Sequence, residues 1–198
     1  MLLLLLACAA VDPLTGDDTA DTGGSAGPTA PSPGDLVITE IMPDPLVVDG
    51  DFGEWFEVKS LAGGDRDLAG MTVTDDDATG FTVEGSLVLP AGGYLVFAPD
   101  ADATANGGLP VDYAYDVADL KLGNEGDAVV LTFGNATLDL VAYDPDDGFP
   151  IEEGYAMSLS PSAQTPEAND DGARWCAAAS VYGGGDRGTP GAPNDGCP

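Results

Sequence analysis

Between Asp35 and Ser160 turn-forming residues recur so often that no stretch long enough for a packed helix remains. What they leave is a series of short apolar runs: LVITEI (36–41), EWFEVKS (54–60), MTVTD (71–75), GFTVEG (80–85) and GYLVFA (93–98). DAVVLTFG (127–134), ATLDLVAYD (136–144) and GYAMSLS (154–160) continue it. Each has strand length and is rich in β-branched or aromatic residues, and no window shows a helical period. Gly134-Asn135, set between two such runs, is a hairpin signal. With 28 glycines and 16 prolines for the turns and 43% hydrophobic residues for a core, the 198-residue chain reads as an all-β sandwich.

Charge removes whole classes of partner. Five Lys+Arg against 35 Asp+Glu give a formal net charge of -30, so the surface repels nucleic acid and anionic lipid headgroups. Cations, basic partners and neutral glycans stay open. The absence of histidine excludes Ser-His-Asp and Cys-His catalysis and His-ligated zinc. No Gly-rich phosphate loop, nucleophile elbow or CxxC motif is present.

Carboxylates are then the main candidates for chemistry. In EWFEVKS the two-residue period puts Trp55, Glu57 and Lys59 on one face, with Phe56 and Val58 on the other. Glu54 falls on the Phe56 side at the strand's entrance, where solvent is expected. Glu54 and Glu57 therefore point to opposite sides of the sheet and cannot form a dyad. Glu40, in ITEIM, shares a face with Leu36 and Ile38 by the same rule. A glutamate among apolar neighbours needs hydrogen bonds, a cation or a metal. Backbone N–H groups, Lys59 or Arg66 would serve, and calcium is the alternative. A glycosidase acid would need a second carboxylate roughly 5–10 Å away, which sequence alone does not place.

Oxygen-rich turns extend the calcium reading. Asp75, Asp76 and Asp77, the DPDDG turn (144–148) and EANDDG (167–172) all supply hard ligands. Glu167, Asn169 and Asp171 are spaced like the first, third and fifth ligands of an EF-hand loop, with Gly172 at its sharp turn. Ala178 stands where the bidentate glutamate belongs, so an Asx-rich turn is the simpler account. Trp55, Trp175, Tyr94, Tyr113, Tyr115 and Tyr143 suit either a glycan platform or core packing, and core packing explains most of them.

The ends read differently. MLLLLLACAA is too short for the ~20 residues of a membrane-spanning helix but fits a secretory h-region. Leu5-Leu6-Ala7-Cys8 resembles the bacterial lipobox, which implies residues 1–8 as signal with Cys8 as lipid carrier, although no Lys or Arg precedes the run. Residues 9–34, poor in large apolar side chains, read as a disordered acidic tether. With Cys8 assigned, Cys176 and Cys197 remain as a pair for an oxidising compartment, two free thiols being the alternative. Residues 161–198 would then wrap the sandwich as a segment pinned by that bridge, with Trp175 packed against it.

Taken in order, LVITEIMPDP, GEWFEV, DLAGMTVTDD, LPAGGYLVFAPD, LGNEGDAVVLTF and GYAMSLS resemble a lamin-tail domain of the bacterial secreted type. The likeness spans about residues 35–160, and GARWCAA and GTPGAPN resemble the segment that often follows such domains. It implies an immunoglobulin-like β-sandwich without catalytic activity and without a cofactor, in which Glu40 and Glu57 occupy recurring acidic positions. Together with the lipobox it implies an envelope lipoprotein, at the outer membrane or cell surface, presenting a structural or binding module. Calcium-assisted adhesion, a protein or glycan ligand, and a carboxylate-dependent hydrolase are the alternatives carried forward.

Overall fold

Strands form where β-branched and aromatic side chains alternate, and they stop at the glycines and aspartates between. The computed structural model describes residues 27–198. In chain order its strands are β1 (Leu36–Met42), β2 (Trp55–Ser60), β3 (Arg66–Asp67), β4 (Met71–Thr74), β5 (Gly80–Thr82) and β6 (Val88–Leu89). They continue with β7 (Tyr94–Ala98), β8 (Tyr113–Ala114), β9 (Asp127–Phe133), β10 (Ala136–Tyr143), β11 (Met157–Leu159) and β12 (Trp175–Ala177). A single helical turn, α1 (Gly50–Gly53), is capped by the Asp49 side chain, which accepts from the Asp51 amide.

Two sheets face each other. One runs β12-β11-β1-β2-β7-β8 and the other β10-β9-β4-β5, while β3 and β6 pair apart from both. Every pairing is antiparallel except β7 with β8. The inner faces interdigitate in one apolar cluster: Ile38, Phe56, Val58 and Phe97 meet Val73, Val129, Leu131 and Val141. Phe56 and Phe97, cross-strand partners, stack with ring centroids 4.9 Å apart. The architecture is an immunoglobulin-like sandwich: the strand pattern predicts a β-sandwich, and the resemblance implies the immunoglobulin-like type.

Turn chemistry explains the connections. The β9–β10 hairpin closes on Gly134-Asn135, with Phe133 opposite Ala136 and Gly134 at φ 60°. At Gly80 a Cβ would lie 1.9 Å from the Val73 carbonyl oxygen, so only glycine lets β5 approach β4 there. The pairs β3–β6 and β7–β8 are two residues long and escape period-based reading. The run 154–160 shortens to β11 because Gly154 sits at φ 80° and Tyr155 bridges Glu152 and Arg187 instead of the sheet.

The C-terminal segment does more than wrap. It donates β12 as an edge strand and then crosses the outer face of the six-stranded sheet. There Met42, Trp55, Val96, Ala98, Leu109, Ala156 and Ala178 form a second apolar cluster. Trp55 donates its Nε1–H to the Tyr182 hydroxyl at 2.9 Å, the rings meeting edge to face. Cys176 and Cys197 form a disulfide with Cα atoms 5.6 Å apart. Trp175 corrects an expectation: adjacent strand residues face opposite ways, so it turns from the bridge into the main core against Phe149.

The first described residues also differ from the reading that starts the domain at residue 35. Thr29 pairs in parallel with Arg66, and its amide and carbonyl bond to Asp65 and Asp67. Arg66 in turn grips Asp35 at 2.8 Å. Residues 29–34 thus dock on the sandwich. Cys8 and the tether up to residue 26 lie outside the described residues.

Candidate functional site

A one-residue irregularity builds the site. Ile38 pairs with Val58, but the next registered pair is Glu40 with Glu57, so β1 bulges at Thr39. The extra residue turns Glu40 away from the face of Leu36 and Ile38, where simple alternation places it. It lands across from Glu57 on the outer face. The second carboxylate that sequence does not place is therefore the neighbour on β2.

Neither glutamate meets solvent; both are 0% exposed. Residues 188–197, the strap, cover them. Glu40 Oε2 accepts from the Thr189 amide at 2.9 Å, and Glu57 Oε2 accepts from the Gly191 amide at 2.7 Å. Glu57 Oε1 accepts from the Thr39 hydroxyl at 2.5 Å. Asn194 completes the clamp, its Nδ2 donating to the carbonyls of Thr39 and Leu159 at 2.7 and 2.9 Å. The amides of Ala179 and Ser180 bond to Asp195, and the disulfide fastens the end. Lys59 and Arg66 take no part: Lys59 bonds to Gln164, and Arg66 to Asp35.

Burial governs the proton chemistry. It pushes the Glu57 carboxyl up to about 8, the adjacent Glu40 charge adding to the effect, and pushes Glu40 up to about 7. Two carboxylates facing each other out of water resist double ionisation, so near neutrality the pair retains a proton. The hydroxyls of Ser158 and Thr189 border Glu40, and its Oε1 has no hydrogen-bond partner among the described residues. Such a pair could move a proton, but only after the strap has lifted.

Glu54 sits on the opposite side of β2, as alternation requires, yet it is only 7% exposed instead of open to solvent. The segment around Lys121 folds over the strand's entrance, and Glu54 Oε2 accepts from the Leu122 amide at 2.8 Å. Burial pushes its carboxyl up to about 7. Its charge reaches the buried hydroxyls of Tyr115 and Tyr143, both driven upward chiefly by desolvation.

Asp139 is a structural carboxylate that sequence reasoning misses. Its Oδ2 accepts from the Ile38 amide at 2.6 Å and from Asn169 Nδ2 at 2.8 Å, joining β10, β1 and the C-terminal segment. Burial raises it to about 6. The one signal in the sequence is an aspartate set between Leu138 and Leu140.

The proposed calcium ligands do not come together. Asp75 Oδ1 caps the Thr79 amide at the β4–β5 tip, where Asp76 and Asp77 are exposed. Glu167 and Asp171 face solvent while Asn169 is buried with Asp139, which breaks the EF-hand-like spacing. Asp171 caps the short turn at Ala173. Among the described residues no three acidic or cysteine side chains converge as metal ligands. The aromatics divide similarly. Trp55, Trp175, Tyr115 and Tyr143 are core, while Tyr94 and Tyr113 are half-buried and separate.

A family model described as Lamin Tail Domain matches residues 29–145, more than half of the chain and beginning at the first paired residue. No curated protein matches the chain.

Proposed function

The chain belongs to the lamin tail domain family, and from that premise we propose a non-catalytic module displayed at the cell envelope by a lipid on Cys8. One observation carries the non-catalytic reading. The only facing pair of buried carboxylates among the described residues is sealed under the strap, three of its four oxygens accepting from the chain's own donors. A hydrolase would hold such groups at a cleft open to substrate. The pair is better understood as a lock that holds the C-terminal segment on the outer face.

Display at the envelope draws support from the cysteines. The Cys176–Cys197 bridge suits an oxidising compartment and leaves Cys8, in its lipobox-like setting, as the odd thiol. The acyl chain would hold the protein, the acidic stretch after it would space the sandwich from the bilayer, and the loops would form the contact surface.

Mass spectrometry of the mature protein extracted from membranes tests both parts of this arrangement. The expected product begins at an acylated Cys8 and carries the bridge. A soluble product with an unmodified Cys8 overturns the anchor. On the chemical side, polysaccharide screens should show no turnover; turnover abolished by Glu40→Gln would restore the hydrolase.

A further inference from the structure

The two sheets leave one flank of the sandwich open. There β5 is the last strand of its sheet and β8 the last of the other, and no described strand pairs with the outer edge of either. Between them lies a cleft of about 360 Å3. Phe81, Tyr113 and Tyr115 form its floor, with Phe81–Tyr115 and Phe81–Tyr113 centroids 4.7 and 5.7 Å apart. Glu84, Asp116 and Asp119 form its rim, and all three are exposed.

The backbone of β5 is presented to this cleft. Val83 donates to Met71, and Phe81 is the partner of Val73, so the odd-numbered residues bond to β4. In an antiparallel ladder the alternate residues, Gly80 and Thr82, then send their N–H and C=O groups to the open edge. The Tyr113 hydroxyl already reaches the Thr82 carbonyl at 3.4 Å and accepts from the Glu84 amide at 3.0 Å. It thereby links the two walls at one end of the cleft, and the edge groups it does not engage are the N–H and C=O of Gly80 and the N–H of Thr82.

Charge identifies the occupant. All five cations of the chain are engaged elsewhere: Lys59 with Gln164, Arg66 with Asp35, Lys121 with Asp51, Arg174 with Asp171, and Arg187 with the Ala179 carbonyl. None neutralises the rim. A second copy would bring the same negative charge and be repelled. The half-buried Tyr113 ring, bordered by carboxylates, suits a guanidinium group, which stacks on a ring and bridges acids.

We propose that this cleft receives an extended, arginine-bearing segment of a partner protein, which adds as a strand to the open edge of β5. Alternate side chains of the added strand would then lie over Tyr113 and between Glu84, Asp116 and Asp119. The proposal rests on the reading of the domain as a binding module, and names its partner class. It is independent of whether Cys8 carries a lipid.

The test titrates the full chain with a capped hexapeptide of alternating valine and arginine, and with the same peptide carrying citrulline for arginine. The arginine peptide should shift the amide resonances of Gly80 and Thr82, and the citrulline peptide should bind about tenfold more weakly. Replacing the rim by Glu84→Gln, Asp116→Asn and Asp119→Asn should also weaken binding about tenfold. Neutralising three carboxylates outside the cleft, by Glu125→Gln, Glu153→Gln and Glu167→Gln, should change it less than about twofold. Equal losses in the two triple variants would reduce the interaction to diffuse attraction and overturn the proposal. So would undiminished citrulline binding, no shift at Gly80 and Thr82, or a dimer that occupies the cleft and excludes the peptide. A negative titration leaves the acylation result untouched.

Discussion

On the inner face of the six-stranded sheet Phe56, Val58 and Phe97 meet the opposing sheet through carbon. On the outer face Glu40 and Glu57 meet the strap through directed hydrogen bonds. Both faces bury apolar side chains, but the outer one also depends on the hydrogen bonds to its two carboxylates. Apolar packing is non-directional, scales with buried area and does not respond to protons or reductants. The outer seal needs particular donors at particular distances, a proton near neutrality and an intact bridge. Main-core stability should therefore be large and largely insensitive to pH or reductant, and strap stability smaller and conditional.

The largest effect should come from Phe97→Ala, which empties a stacked site at the centre of the inner face. About 3–5 kcal/mol of global stability should be lost, read as a fall in the denaturation midpoint at every pH. A loss below that of the strap variants would break the contrast.

Next is the bridge. Cys176→Ala with Cys197→Ala opens a loop of sequence separation 21, worth about 3 kcal/mol in the chain-entropy model. Protease should first cut residues 188–197 while the sandwich persists. Simultaneous digestion of strap and sheets would merge the two regions into one cooperative unit.

Acidity gives the third. Glu40 and Glu57, beneath the strap, have folded-state values raised from 4.5 to about 7 and 8. The folded state then binds more protons than the unfolded one between these limits. Stability from these groups is complete below about pH 4.5 and is lost as pH rises through about 7–8. Stability should fall measurably between pH 5 and pH 9, and Glu57→Gln should flatten the decline. Self-repulsion among the surface carboxylates acts in the same direction, so an unflattened slope in Glu57→Gln would move the effect to the surface.

The smallest lies in neither region. Ala78, at φ 61° in the β4–β5 tip, holds a left-handed conformation that glycine adopts freely. Ala78→Gly should stabilise by about 0.5–1 kcal/mol, measurable as a small rise in melting temperature with both faces unchanged.

Much of the sandwich is legible because strand signals are local. The β9–β10 hairpin follows from Gly134-Asn135, and the opposed faces of Glu54 and Glu57 follow from a two-residue period. The candidate site is less legible because its key step is not periodic. A bulge at Thr39 changes the side on which every later β1 residue falls, and it arises from pairing with β2 across the intervening loop. Asp139 shows the same limit, since its amide partner at Ile38 is 101 residues away. The cleft beside β5 combines Glu84 with Asp116 and Asp119, which no spacing rule connects.

Composition and alternation by themselves determined the β class, the turn positions, the net acidity, and the separation of Glu54 from Glu57. These depend on neighbours within a few bonds, where sterics and side-chain direction are set by the chain itself. Tertiary structure alone decided that Glu40 faces Glu57, that Thr189 and Gly191 cover them, and that an acid-rimmed flank stays open. Those facts depend on which distant backbone donors arrive at a strand once the sheets have packed, and no local preference encodes that arrival.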